Sequence, residues 1–132
     1  MSAHLMLSLL GGPDPTEFAV AQWPPSAEVP PGVLAGSFFN LTRSEDELSL
    51  VCEARLLPPG VKHEAGWAAF KLRGPFDFGL TGILAAVLNP LHAAGVGIFA
   101  VSTFDTDYVL VKSEQLGAAK AALRAAGHTV QD

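Results

Sequence analysis

The sequence predicts an α+β fold whose second half runs strand, helix, strand, strand, helix, strand. Three observations carry that expectation. Residues 79–112, GLTGILAAVLNPLHAAGVGIFAVSTFDTDYVLVK, form one continuous apolar unit, and from Gly79 to Phe104 there is no Asp, Glu, Lys or Arg, so the core must lie there. The apolar spacing in this half switches between the period of two that suits a half-buried strand and the 3.6 that suits a helix. Leu57-Pro58-Pro59-Gly60 marks the clearest boundary, because two prolines and a glycine continue neither element.

Taken in order, Leu5 to Leu10 (LMLSLL) reads as a first strand. It is too short for a signal-peptide core and has no basic flank or small-residue cleavage site. The turn cluster Gly11-Gly12-Pro13-Asp14-Pro15 leads to a second strand at Phe18–Trp23, and the two are expected to pair as a hairpin. Prolines and small residues from Pro24 to Gly32 read as a loop with room for one helical turn at most. Gly36–Thr42 and Leu48–Cys52 have strand composition. Between them, Ser44-Glu45-Asp46-Glu47 carries a capping-box pattern and is expected to make a short turn.

Beyond Gly60, Trp67 to Leu72 alternates, with Ala68, Phe70 and Leu72 on one face and Trp67, Ala69 and Lys71 on the other. A helix is expected from an N-cap at Thr81, with Leu84, Val87, Leu88 and Leu91 inward, loosened by Pro90 and stopped by a left-handed Gly95. Ile98–Val101 and Tyr108–Val111 form a hairpin. Ser113 then caps a second helix that turns Leu116, Ala119 and Leu123 inward and closes at Gly127, and Thr129-Val130 adds an edge strand. This βαββαβ order is the ferredoxin-like arrangement, two helices on one face of a four-stranded antiparallel sheet.

Composition narrows the function classes. Hydrophobic residues make up 49% and charged residues 16%, which excludes disorder and points to extensive burial, part of it against a second subunit. With a net charge of −5 and 8 basic residues spread along the chain, no basic stripe exists for nucleic acid. The single Cys52 permits no internal disulfide; it reads as a buried small apolar residue and fits a reducing compartment. Asn89-Pro90, His92, Gly95 and Gly97 break the long uncharged run, so no membrane span is expected and the protein reads as cytoplasmic. His4, His63, His92 and His128 are too scattered for a metal motif and read as surface or interface residues; no cofactor, metal site or catalytic constellation is expected.

On SFFNLTRSEDELSLVC at 37–52, GPFDFGLTGILAAVLNPLHAAGVGIFAVSTFDTDYVLVK at 74–112 and LRAAGHTV at 123–130, nearly the whole chain resembles a bacterial family of small stand-alone ACT-domain proteins. Its second half is similar to the ACT units of the animal cytosolic arginine sensors. The resemblance implies a tandem of two ACT-like units, an irregular strand-rich unit over residues 1–60 and an ACT domain over 61–132. It also implies a non-catalytic regulatory protein that binds a free amino acid and assembles as a homodimer. The alternative is an interaction module with a vestigial site, or, less favoured, a small enzyme of the same fold.

In ACT domains the ligand sits near the loop from the first strand into the first helix. Here that loop includes Asp77, Phe78, Gly79, Leu80, Thr81 and Gly82, with Gly82 matching the family's glycine at the helix start. The helix N-terminus offers free N–H groups and partial positive charge to a carboxylate. Asp77, Asp105 and Asp107 offer their charge to an ammonium, with Ser102, Thr103 and Thr106 beside them. A plainer reading is that Asp105-Thr106-Asp107 only shapes a turn, that Gly82 only lets the helix approach a neighbouring backbone, and that Ser102 and Thr103 satisfy hydrogen bonds at the strand's end.

Overall fold

Alternation and turn chemistry generate eight strands and two helices, seen in a computed structural model that describes residues 4–74 and 81–132. In chain order they are β1 (Met6–Leu9), β2 (Phe18–Trp23), β3 (Asn40–Arg43), β4 (Leu48–Glu53), β5 (Lys62–Leu72), α1 (Ile83–Ala93), β6 (Ile98–Ser102), β7 (Asp107–Lys112), α2 (Leu116–Ala125) and β8 (Thr129–Gln131). The chain forms two compact units, one of Glu17–Trp67 and one of Met1–Thr16 with Ala68–Asp132. The expected division, 1–60 and 61–132, assigns β1 to the first unit, whereas its contacts lie in the unit that holds α1 and α2.

In the unit of Glu17–Trp67 the strand order is β3-β4-β2-β5. The bulge in β5 falls at Gly66: between the pairs Phe18–Trp67 and Val20–Glu64, the single Ala19 of β2 faces Ala65 and Gly66 of β5. Gly66 takes a left-handed φ of 83°, which a glycine adopts without strain, and donates its N–H to Glu17 Oε2. β5 therefore begins five residues before the expected Trp67. β3 is shorter than the expected Gly36–Thr42, because the chain before it is held to a side chain and not to a strand. Ser37 N donates to Glu53 Oε2 at 2.8 Å, and a Cβ at Gly36 would lie 2.2 Å from that oxygen. The Phe38 ring meets Phe18 edge-on at 5.9 Å. Ser44 Oγ accepts the N–H groups of Asp46 and Glu47, so the capping pattern makes the β3–β4 turn, as expected.

Glu53 is buried, and the Ser37 amide bond, against the cost of burial and helped by Arg55 at 3.2 Å, holds its carboxyl below the usual value of 4.5. A carboxyl depressed in the folded state contributes stability above its unfolded value and loses it as pH falls through the folded one. The stability advantage of the wild type over Glu53→Gln will accordingly be full at pH 7 and shrink below pH 4.5, measured by urea titration across that range. An advantage that persists unchanged at pH 2 would assign the effect to packing. Cys52 lies fully buried with Val33 and Leu50, and burial raises its thiol above the ordinary value, so it stays protonated and apolar in character.

The second unit carries the βαββαβ order, β5-α1-β6-β7-α2-β8, and its sheet order is β6-β7-β5-β1-β8. The expected hairpin of β1 with β2 does not form. β1 instead inserts between β5, to which it is antiparallel (Leu7 opposite Leu72), and β8, to which it is parallel (Leu7 opposite Val130). The sheet thus has five strands where four were expected. Leu5, Leu7 and Leu9 join Ala68, Phe70, Leu72, Val109 and Val111 in one core with Val87 and Leu91 of α1 and Ala119 and Leu123 of α2.

Both helices end as the sequence predicts. Gly95 and Gly127 are left-handed, at φ 73° and 93°, and the paired bonds Val96 N to Leu91 O with Gly95 N to His92 O, and His128 N to Leu123 O with Gly127 N to Arg124 O, make two Schellman caps. The start of α1 differs: Gly82, not Thr81, is the N-cap, at φ 81°, and no side chain caps it. Ser113 opens a short 3-10 turn that leads into α2. Pro90 has no N–H to give the Ala86 carbonyl one turn back. That carbonyl accepts from His128 Nε2 at 2.8 Å, while His128 Nδ1 accepts the Leu5 N–H at 3.1 Å. His128, expected at the surface or an interface, is instead a buried bridge from Leu5, just before β1, to α1. Among the described residues, no helix is long and apolar enough to cross a membrane.

Candidate functional site

The β6–β7 hairpin closes on Thr103-Phe104-Asp105-Thr106, beyond a last strand pair of Ser102 and Asp107. Two-residue hairpin loops favour positive φ, which neither Phe104 nor Asp105 adopts. The turn uses side chains in compensation. Thr103 N donates to Thr106 O at 2.8 Å, and Thr106 N returns to Thr103 Oγ1 at 3.3 Å, in place of the carbonyl. Thr106 is buried, and its hydroxyl donates to Leu72 O at 2.6 Å, tying the tip to the end of β5. Ser102 Oγ donates to Asp107 Oδ1 at 2.5 Å.

Against this tip lies a cavity of about 230 Å³ lined by Lys71, Gly74, Thr103, Asp105, Thr106 and Tyr108. At a water's share of about 30 Å³ this is the space of about eight waters. Its lining includes one cationic and one anionic residue, Lys71 and Asp105, together with Thr103, Thr106 and Tyr108.

Of the expected site residues, Thr103, Asp105 and Thr106 come together in this cavity. Ser102 and Asp107 are on the hairpin but engage each other, and with Thr81 and Gly82 they are not among the cavity's described lining. Asp77, Phe78, Gly79 and Leu80 lie outside the described residues. Among the described residues nothing lies within 4 Å of a Cβ at Gly82, whose positive φ suits glycine. Thr106 has a structural duty that the sequence did not reveal. Lys71, Gly74 and Tyr108 are additions; the available signal was Lys71 as the lone charge in the alternating stretch Trp67–Leu72. Among the described residues there is no group of three or more His, Cys, Asp or Glu able to hold a metal ion.

Comparison with known proteins bears on the fold. Residues 62–125 match the family model described as an ACT domain, and residues 16–59 match a second model described as an N-terminal domain. The chain is similar to a crystallised protein of Agrobacterium tumefaciens, 38% identical with a TM-score of 0.89, over 98% of this chain and 93% of that one. The fold is shared with the regulatory subunit of aspartate kinase from Thermus thermophilus, 13% identical with a TM-score of 0.56, over 96% and 99% of the two chains. A human protein, CASTOR3P, is 29% identical over 92 residues, which is 60% of this chain and 56% of that protein, so the match spans little more than half of the human relative. Residues 62–125 fit that model and run from β5 to α2 of the βαββαβ order, so the chain carries an ACT domain.

Proposed function

We propose that this protein is a non-catalytic cytoplasmic regulator that binds a free amino acid at the hairpin-tip cavity and acts as a homodimer. ACT-domain proteins are regulatory, and the observation that carries the ligand reading is the small cavity with Lys71 and Asp105 on its walls. A zwitterion requires both signs within one small site, and Lys71 suits the carboxylate as Asp105 suits the ammonium. Of the carboxylates expected to face the ammonium, Asp77, Asp105 and Asp107, Asp105 is the one on this cavity's wall, while Asp107 accepts the Ser102 hydroxyl.

A melting screen of the twenty amino acids at millimolar concentration tests this. A ligand that binds only the native state adds about 2.7 kcal/mol at a hundred times its dissociation constant, a shift of several degrees for a chain of this size. Asp105→Ala and Lys71→Ala will each weaken the effective amino acid about tenfold or more, the equivalent of about 1.4 kcal/mol. If none of the twenty moves the melting point, or the shift survives both substitutions, the interaction-module reading takes its place. Light scattering that shows a 13.8 kDa monomer at micromolar concentration would remove the dimer from the proposal.

A further inference from the structure

The two charges of the hairpin-tip cavity stand on different segments of the chain, Lys71 near the end of β5 and Asp105 in the turn between β6 and β7. The β6–β7 ladder ends before that turn. Its last strand pair is Ser102 with Asp107, so residues 103–106 extend past the strands. A loop tip beyond its ladder is more mobile than the elements it joins, and a charge carried on it has no fixed distance from a charge on another strand.

A buried hydrogen bond closes this gap. The Thr106 hydroxyl donates to Leu72 O at 2.6 Å. Leu72 follows Lys71 and Thr106 follows Asp105, so the bond joins the residue after one charge to the residue after the other. Each charged residue is therefore one trans peptide, about 3.8 Å between Cα atoms, from an end of that bond. The Thr106 backbone fixes the turn itself. Its carbonyl accepts the Thr103 N–H at 2.8 Å and the Thr103 hydroxyl at 3.0 Å, and its N–H donates to Thr103 Oγ1 at 3.3 Å. A hydroxyl has a single proton, and that of Thr106 is committed to Leu72, so it has none to donate to a ligand.

We propose that Thr106 is the positioning residue of this site: its hydroxyl holds Asp105 at a fixed reach from Lys71 and acts on the ligand through that carboxylate. The inference rests on the hairpin-tip reading for its ligand and on the hydrogen bonds for its mechanics.

Thr106→Val removes the hydroxyl and keeps the branched shape, whereas Thr106→Ser keeps the hydroxyl. In the ligand-free, isotope-labelled full chain, amide NMR will show the Thr103 N–H exchanging about tenfold faster or more in Thr106→Val, with shifted amides at 71–73; Thr106→Ser will stay near the wild type. Each of the twenty free amino acids is then titrated singly. The one that binds the wild type will bind Thr106→Val about tenfold more weakly and Thr106→Ser within about threefold. In an Asp105→Ala background Thr106→Val will cost about twofold or less, because the carboxylate it positions is gone; a general loosening of the fold would cost the same in both backgrounds. The proposal is overturned if Thr103 exchange is unchanged in Thr106→Val, if Thr106→Ser binds as weakly as Thr106→Val, or if the tenfold loss recurs in Asp105→Ala. If none of the twenty binds the wild type, the hairpin-tip reading fails by itself, and Thr103 exchange still decides whether the hydroxyl fixes the turn.

Discussion

A chain that begins at residue 11 will show no cooperative unfolding transition. It lacks β1, and with it Leu5, Leu7 and Leu9, whose exposures are 6%, 0% and 4% in a core built from both helices and three other strands. Burial of a leucine contributes about 1.5–3 kcal/mol, so the three together approach the whole stability of a domain, about 5–15 kcal/mol. The backbone suffers as well. Leu10 N to Ala69 O, Arg73 N to Met6 O and Thr129 N to Leu5 O are lost with their ladders, and β5 and β8 each keep an unpaired edge inside the sheet.

The same reasoning predicts that residues 61–132, the whole βαββαβ order, will not fold alone. That fragment contains every element of the order and still has a slot one strand wide. Far-ultraviolet circular dichroism with thermal melting will show a broad, non-cooperative signal for both truncations. Leu7→Ala in the full chain will remain folded and lose about 2–5 kcal/mol. A sharp native-like melt of the 61–132 fragment would mean that β1 is an accessory to this sheet and not part of its core.

His128→Ala will cost about 2–5 kcal/mol, and the loss will depend on Pro90. The imidazole accepts from the Leu5 N–H and donates to the Ala86 carbonyl, and each partner left unsatisfied costs about 1–3 kcal/mol. The Ala86 carbonyl needs the histidine because Pro90 supplies no N–H. In a Pro90→Ala background the helix restores its own bond to Ala86, so His128→Ala will cost at least about 1 kcal/mol less than in the wild type. Urea unfolding of the four proteins of this double-mutant cycle measures the coupling. Equal costs in both backgrounds would show that the histidine does not replace the missing helical bond.

What the sequence determined by itself is what neighbouring residues decide. Gly95 and Gly127 end their helices because only glycine takes a left-handed C′ position without strain, and Ser44 bends the chain because its hydroxyl reaches amides two and three residues on. Ala68, Phe70 and Leu72 point to the core because a strand alternates, whatever it pairs with.

The tertiary structure alone decided where those elements go. LMLSLL alternates equally well against any apolar strand, and its partners, Leu72 and Val130, lie far along the chain, so nothing local distinguishes insertion between β5 and β8 from a hairpin with β2. His128 is buried for a reason visible only once Pro90, 38 residues back at roughly one helical turn beyond Ala86, exposes a carbonyl beside it. The site follows the same rule. Asp105 and the two threonines belong to a turn that the local sequence announces, but Lys71 reaches the cavity through strand pairing, which brings the end of β5 to the tip of a hairpin some thirty residues later.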